Sequence, residues 1–260
     1  MFIPLCLAGL SLLKSCGNED PTPTPQHFVF STSYSHTCTL LSNTNTTNKT
    51  TYFKCWGRNN FGKLGLGDTA SRGDNNTSMG DNLNSLNLGS NVEVSRLSTG
   101  ERHNCVILDN KSTTSKETLV KCWGYNSDGE LGLENNDTKG DNATNMGDNL
   151  SFVDLGNNLT VLNIFTGKNH NCALLDSNST TTVEKNLKCW GDNSRGQLGL
   201  ANTYKYGRQT GDMGDNLPYV NLGTNLEITD IALGEDHSCA ILDNKSTSTI
   251  ETYIKCWGTG

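Results

Sequence analysis

Proline and surplus positive charge are both scarce in this chain. Five prolines stand against 27 glycines in 260 residues, a third of which are hydrophobic. That balance excludes a proline-rich disordered polymer and suits one large or two ordinary folded domains. Twenty Lys and Arg face 27 Asp and Glu, a formal net charge of −7, so no basic stripe is available for a phosphate backbone and nucleic acid is not an expected partner. A sustained 3.6-residue apolar period is missing too, which leaves strands rather than helices. Glycine-rich phosphate loops, a nucleophile elbow and paired carboxylates with supporting context are all absent. No catalytic residue and no cofactor is therefore expected.

Cysteine is the residue present in excess. There are ten, too many and too regular for ordinary core thiols, which points to an oxidising compartment or to metal. Cys38, Cys105, Cys172 and Cys239 are each 67 residues apart, and each is followed 17 residues later by Cys55, Cys122, Cys189 and Cys256. His36, His103, His170 and His237 keep the same step, as do Trp56, Trp123, Trp190 and Trp257; "MGDNL" recurs at 79–83, 146–150 and 213–217. One supersecondary unit used repeatedly has this signature, and strand-rich units of such length point to propeller blades. Within a unit, "CVILD" and "LVKCW" read as antiparallel strands bounded by Gly, Asn, Asp and Ser. "VEVSRLSTG" at 92–100 adds a strand, and "GELGL" at 129–133 a fourth short strand or turn edge.

At "WGRNNFGKLGL" (56–66), "WGYNSDGELGL" (123–133) and "WGDNSRGQLGL" (190–200), preceded by Gly-x-x-His at 100–103, 167–170 and 234–237, the chain resembles the regulator of chromosome condensation repeat family. The resemblance covers about residues 28–260 and is nearest to an exported, disulfide-bearing bacterial type. It implies an all-β propeller, most often of seven blades, each a four-stranded sheet. Four units of a 67-residue repeat are expected over 27–260, at about 24–90, 91–157, 158–224 and, cut short, 225–260. The last stops at "CWGTG", so the ring is expected to be incomplete or fragmentary. Ser33 stands where the other units have glycine, so the first turn need not match the rest.

In a hairpin the sum of paired positions is constant: if Cys105 faces Cys122, then Leu108 faces Leu119. Directly opposed residues lie close enough for a disulfide after modest adjustment, which gives Cys38–Cys55, Cys105–Cys122, Cys172–Cys189 and Cys239–Cys256. Zinc is the rival, since His103 and Cys105 share a face with Cys122, but no fourth ligand recurs beside them. The histidines read as structural, tying backbone groups at the blade turn, and the tryptophans as packing.

The beginning of the chain bears on compartment. The apolar run Phe2–Leu13 is too short to span a bilayer but suits an export signal over 1–15. "LKSC" resembles the lipobox of a bacterial lipoprotein, with Cys16 as the lipidated residue and 16–26, rich in Pro and Thr, as a stiff tether. Removing Cys6 with the signal and acylating Cys16 leaves cysteines for four pairs with none over. The expected location is exported: outer membrane, cell surface or periplasm, with membrane contact only through the lipid.

Other features are weaker. Asp81, Asp148 and Asp215 suit turn chemistry with nearby backbone; calcium would need a loop pattern that is not there. "RGD" at 72–74 and the sequons at Asn45, Asn110 and Asn244 arise readily from composition. The long hairpin tips at 42–51, 109–118, 176–186 and 243–252 should emerge on one side and could form a binding face. The expected function is an exported, lipid-anchored module that binds a protein or a surface glycan. An intracellular guanine-nucleotide exchange or chromatin-associated regulator of the same repeat family, and a propeller hydrolase or lyase, are the alternatives.

Overall fold

The computed structural model describes residues 27–43, 50–113, 117–177, 185–246 and 251–259. The export signal, Cys16 and the tether lie outside the described residues, as do the central parts of the hairpin tips. The chain is all-β, and among the described residues the only helical pieces are single 3-10 turns. None is long and apolar enough to cross a membrane. Among the described residues, twelve strands form four antiparallel three-stranded sheets, one per repeat: β1 (His27–Thr32), β2 (His36–Asn43) and β3 (Thr50–Gly57); β4 (Val92–Thr99), β5 (His103–Asn110) and β6 (Thr118–Gly124); β7 (Thr160–Thr166), β8 (His170–Asp176) and β9 (Lys185–Gly191); β10 (Leu226–Leu233), β11 (His237–Asn244) and β12 (Glu251–Gly258).

The register follows the hairpin sum. Cys105 lies opposite Cys122 and Leu108 opposite Leu119, with equivalent pairs in the other sheets. In the last three sheets the inner strand carries a bulge, at Ser95, Leu162 and Thr229. Ser95 and Thr229 use their hydroxyls to donate to Ile107 O and Ile241 O across it.

Central strands such as β5 are buried along almost their whole length, because each inner sheet is covered on both faces. Val106 and Leu108 pack with Leu40, Phe53 and Trp123 toward the first sheet, while Cys105 and Ile107 pack with Ile164, Ala173 and Trp190 toward the third. The same layering joins the third sheet to the fourth. The innermost strands β1, β4, β7 and β10 touch in succession, and hydroxyl pairs bind the first three: Ser31 with Thr99 at 2.8 Å and Ser98 with Thr166 at 2.7 Å. The outermost sheets each present an uncovered apolar face. Phe30 is 62% exposed on the first and Ile254 70% on the fourth.

Of the two readings of 129–133, a short strand or a turn edge, the structure has the turn, and the four-stranded sheet implied by the family resemblance is corrected to three strands. Residues 129–133 form a tight turn closed by Gly132 N–H to Gly129 O at 3.0 Å, and β6 is met on its outer side at isolated points, Gly124 with Lys139 and Val153 N–H to Val120 O at 2.8 Å, the latter repeated at Leu86–Phe53 and Val220–Leu187. The intervening segment is rich in Asn and Asp whose side chains capture nearby backbone, as Asn142 Oδ1 does with Thr144 N–H and Asn145 Oδ1 with Gly140 N–H. That competes with a strand ladder.

Candidate functional site

The recurrent histidines lie where one sheet meets the next. His36 Nε2 is 2.7 Å from Asn104 Oδ1, His103 Nε2 is 2.7 Å from Asn171 Oδ1, and His170 Nε2 is 2.9 Å from Ser238 Oγ. Their partners are thus side chains of the following unit, where the sequence had suggested backbone groups of the blade's own turn. Asn104 and Asn171 pass the connection on, their Nδ2 groups donating to Lys63 O and Glu130 O at 2.6 Å. Trp123, Trp190 and Trp257 donate from Nε1 to Lys63 O, Glu130 O and Gln197 O at 2.9–3.0 Å. Trp123 and Trp190 are fully buried, whereas Trp56 and Trp257 at the outer sheets are partly exposed. Ser33 keeps the turn its glycine counterparts make, with its N–H on His36 O at 3.0 Å, and adds a 2.7 Å contact to His36 Nδ1. His237 is half-buried in the last sheet.

Each cysteine pair is bonded in the structure, with Cα atoms 4.1–4.2 Å apart. Sulfurs so joined are not ligands, and His103 spends its Nε2 on Asn171, so the zinc reading has no donor set. Four bridges on one short chain suit an oxidising, extracellular environment.

Two further contacts between units were not legible. Lys121 and Lys188, read only as strand residues, are buried, and each donates from Nζ to two carbonyls at 2.8 Å: Leu88 O and Gly147 O for the first, Leu155 O and Gly214 O for the second. Burial lowers both amines from their ordinary range. Asp148 and Asp215 accept from the backbone N–H groups of Ser90 and Asn157 at 2.7 and 3.0 Å, 58 residues away; their bonds are long-range rather than local. Arg72 of the "RGD" is held by Asp68 at 2.6 Å.

The loops after β3, β6 and β9 and the Gly-x-x-His turns lie together at one end of the sheets. Here the chemistry changes from junction to junction. At the first, Lys63 is buried with Nζ on Ser35 Oγ at 2.6 Å and Glu101 O at 3.3 Å. Burial, with Arg58 and Arg102 nearby, lowers its amine to about 8. Phe61 packs its ring 4.7 Å from that of Tyr125, and the Arg102 guanidinium lies 6.0 and 5.5 Å from the two centroids. At the second, Glu130 occupies the Lys63 position. It is fully buried, with Oε2 accepting from Asp128 N–H at 2.8 Å and no hydrogen-bond partner for Oε1 among the described residues. Burial, reinforced by the Asp128 and Asp192 charges, raises its carboxyl to about 8. Lys205 bridges those two aspartates at 2.7 and 2.9 Å. Between the turns, Tyr34, Glu101, Lys168 and Glu235 rim a depression of about 200 Å³ floored by Gly100, Gly167 and Gly234, with Lys168 paired to Glu235.

Two family profiles described as the regulator of chromosome condensation (RCC1) repeat match the chain, one over residues 161–197 and one over 189–241. Residues 161–241 carry regulator of chromosome condensation repeats. The matched segments include the Trp190–Leu200 loop and the Gly-x-x-His turn at 234–237, elements that the structure places at the unit junctions. Two solved structures share the fold. The crystal structure of human WBSCR16 superposes with a TM-score of 0.53 at 14% identity, over 87% of this chain and 45% of that one. That of Kap60 bound to yeast RCC1 (Prp20) gives 0.51 at 16% identity, over 86% and 44%. This chain spans less than half the length of either.

Proposed function

We propose that this chain is an exported, non-catalytic β-propeller module that holds another protein, and that it is tethered to a membrane through a lipid on Cys16. Propellers built from these repeats are in general binding or exchange-factor modules rather than catalysts. The observation that carries the binding reading is the loop end of the sheets, where the exposed Arg58 and Phe61 and the half-buried Arg102, Tyr125 and Asp128 of two neighbouring junctions lie together. Mixed charge with aromatic anchors suits a protein partner. Export is supported by the bridged cysteine pair in each sheet and by the lipobox-like "LKSC".

The test is the intact mass of the full chain recovered from membrane and soluble fractions of a bacterial host, with and without reductant. A membrane-bound species beginning at Cys16, carrying acyl mass and gaining two hydrogens per bridge on reduction, is the expected result. A soluble, full-length chain with free thiols overturns export and anchoring together.

A further inference from the structure

We propose that the surface formed by Tyr34, Arg58, Phe61, Arg102 and Tyr125 docks a short acidic stretch of the partner protein. This rests on the protein-binding reading above and places it on one junction.

Phe61 is the first reason. It sits at φ 65° and ψ 20° inside the loop after β3, a left-handed conformation that is a genuine outlier for a bulky side chain. The equivalent residues, Asp128 and Arg195, are not in that region. Strain of this kind clusters at functional sites. Here it projects a ring that stays 36% exposed. The next residue, Gly62, packs its backbone so closely on Gly140 and Asp141 of the following unit that a Cβ there would have no room.

Charge is the second reason. In a chain of net −7, Arg58, Lys63 and Arg102 converge on this junction, opposed by Glu101, which lies 3.5 Å from Arg102. Arg58 N–H bonds Ser35 O and Lys63 Nζ bonds Ser35 Oγ, which ties the Tyr34–Ser35 turn into the same surface; Tyr34 itself is 89% exposed. Arg102 lies against the rings of Phe61 and Tyr125, an arrangement that holds a guanidinium in place for a carboxylate.

The neighbouring junction sets the length of the ligand. Asp128, three residues from Tyr125, and Asp192 beyond it are two carboxylates bridged by a single Lys205, which leaves a net negative charge within one unit of the arginines. A long polyanion running across the face would meet that charge, whereas a short acidic stretch followed by neutral or basic residues would not. The Phe61 ring is engaged by Tyr125 and Arg102 rather than laid open as a flat platform for a sugar.

The experiment pans a display library of short random peptides against the full chain and against the Arg58→Glu/Arg102→Glu double variant. Both side chains are at the surface, and an unchanged near-ultraviolet circular dichroism spectrum establishes that the variant is folded. Acidic peptides are expected from the full chain. Their affinity should fall about tenfold or more in the double variant and weaken with added salt. Phe61→Asn, which suits the left-handed backbone, should weaken binding several-fold with the thermal midpoint unchanged or raised, an outcome that a purely structural Phe61 would not give. Peptides that bind the double variant equally well overturn this placement and leave the protein-binding reading standing. Recovery of no peptide overturns both. Heparin binding through the same arginines without any peptide makes the surface a polyanion site and overturns the acidic-peptide assignment.

Discussion

His103 and Asn171 stand 68 residues apart in the chain and 2.7 Å apart at Nε2 and Oδ1. Asn171 Nδ2 already donates to Glu130 O, so Oδ1 is the acceptor and His103 Nε2 must carry the proton. The same reasoning fixes His36 against Asn104. His170 meets the hydroxyl of Ser238, which donates onward to Gln197 O, and again Nε2 holds the hydrogen. Repeat arrays are stabilised largely by interfaces between neighbours. In this chain each of these three interfaces contains one neutral imidazole.

That neutrality makes stability depend on acid. Burial lowers His36 and His103 to about 4 and His170 to about 3, from an ordinary 6.5. Below pH 6.5 the unfolded chain binds protons that the folded chain refuses until about pH 4, so stability falls as pH drops through that window. Urea midpoints measured from neutral pH down to pH 4 should decline steadily. His103→Gln, which cannot titrate, should make the decline shallower. A midpoint that stays level would mean that the imidazoles are charged in the fold.

Glu130 has the opposite sign. Its folded pKa is raised to about 8 from 4.5, so the stability it contributes is present below pH 4.5 and is lost as pH rises through 8. Glu130→Gln should therefore stabilise the protein at neutral pH by on the order of 2 kcal/mol, with little gain at pH 4.5. Gln197 already occupies the equivalent place in the next unit. A gain independent of pH would show that burial of the carboxyl is not its source.

Lys121 tests the clamp between the strand and the loops. Lys121→Met removes the donor shared by Leu88 O and Gly147 O and leaves two buried carbonyls unmatched, at a cost of about 2–4 kcal/mol. Lys54, its counterpart in the first sheet, is only partly buried and reaches Gly80 O at 3.4 Å. Lys54→Met should cost under about 0.5 kcal/mol. Equal losses in chemical denaturation would remove the distinction between inner and outer sheets.

What was legible in the sequence was whatever recurs within one unit: the period, the strands, the hairpin register and the pairing of Cys105 with Cys122. What was not legible was which recurring surface meets which. Lys121 looks like an ordinary strand lysine, since its two acceptors lie in loops 33 and 26 residues away. Asp148 looks like a turn former, although its partner Ser90 is 58 residues off. Asn104 recurs only as Asn171, with Thr37 and Ser238 in the other units, so the histidine's partner had no fixed letter to find. Phe61 carries no signal at all, because a left-handed turn is ordinarily announced by glycine or asparagine.

The last prediction separates the four bridges. Cys38, Cys55, Cys105, Cys122, Cys172 and Cys189 are wholly buried between sheets, whereas Cys256 is exposed and Cys239 half-buried on the uncovered face of the fourth sheet. Thiol–disulfide exchange requires an attacking thiolate to reach the sulfur. Limited dithiothreitol under native conditions followed by alkylation should mark Cys239 and Cys256 first, read by peptide mass. The other three bridges should resist until the sheets separate. If all four are reduced at one rate, access is not governed by the packing between neighbouring sheets. The interfaces built around His36, His103 and His170 would then open faster than a buried network of this kind implies.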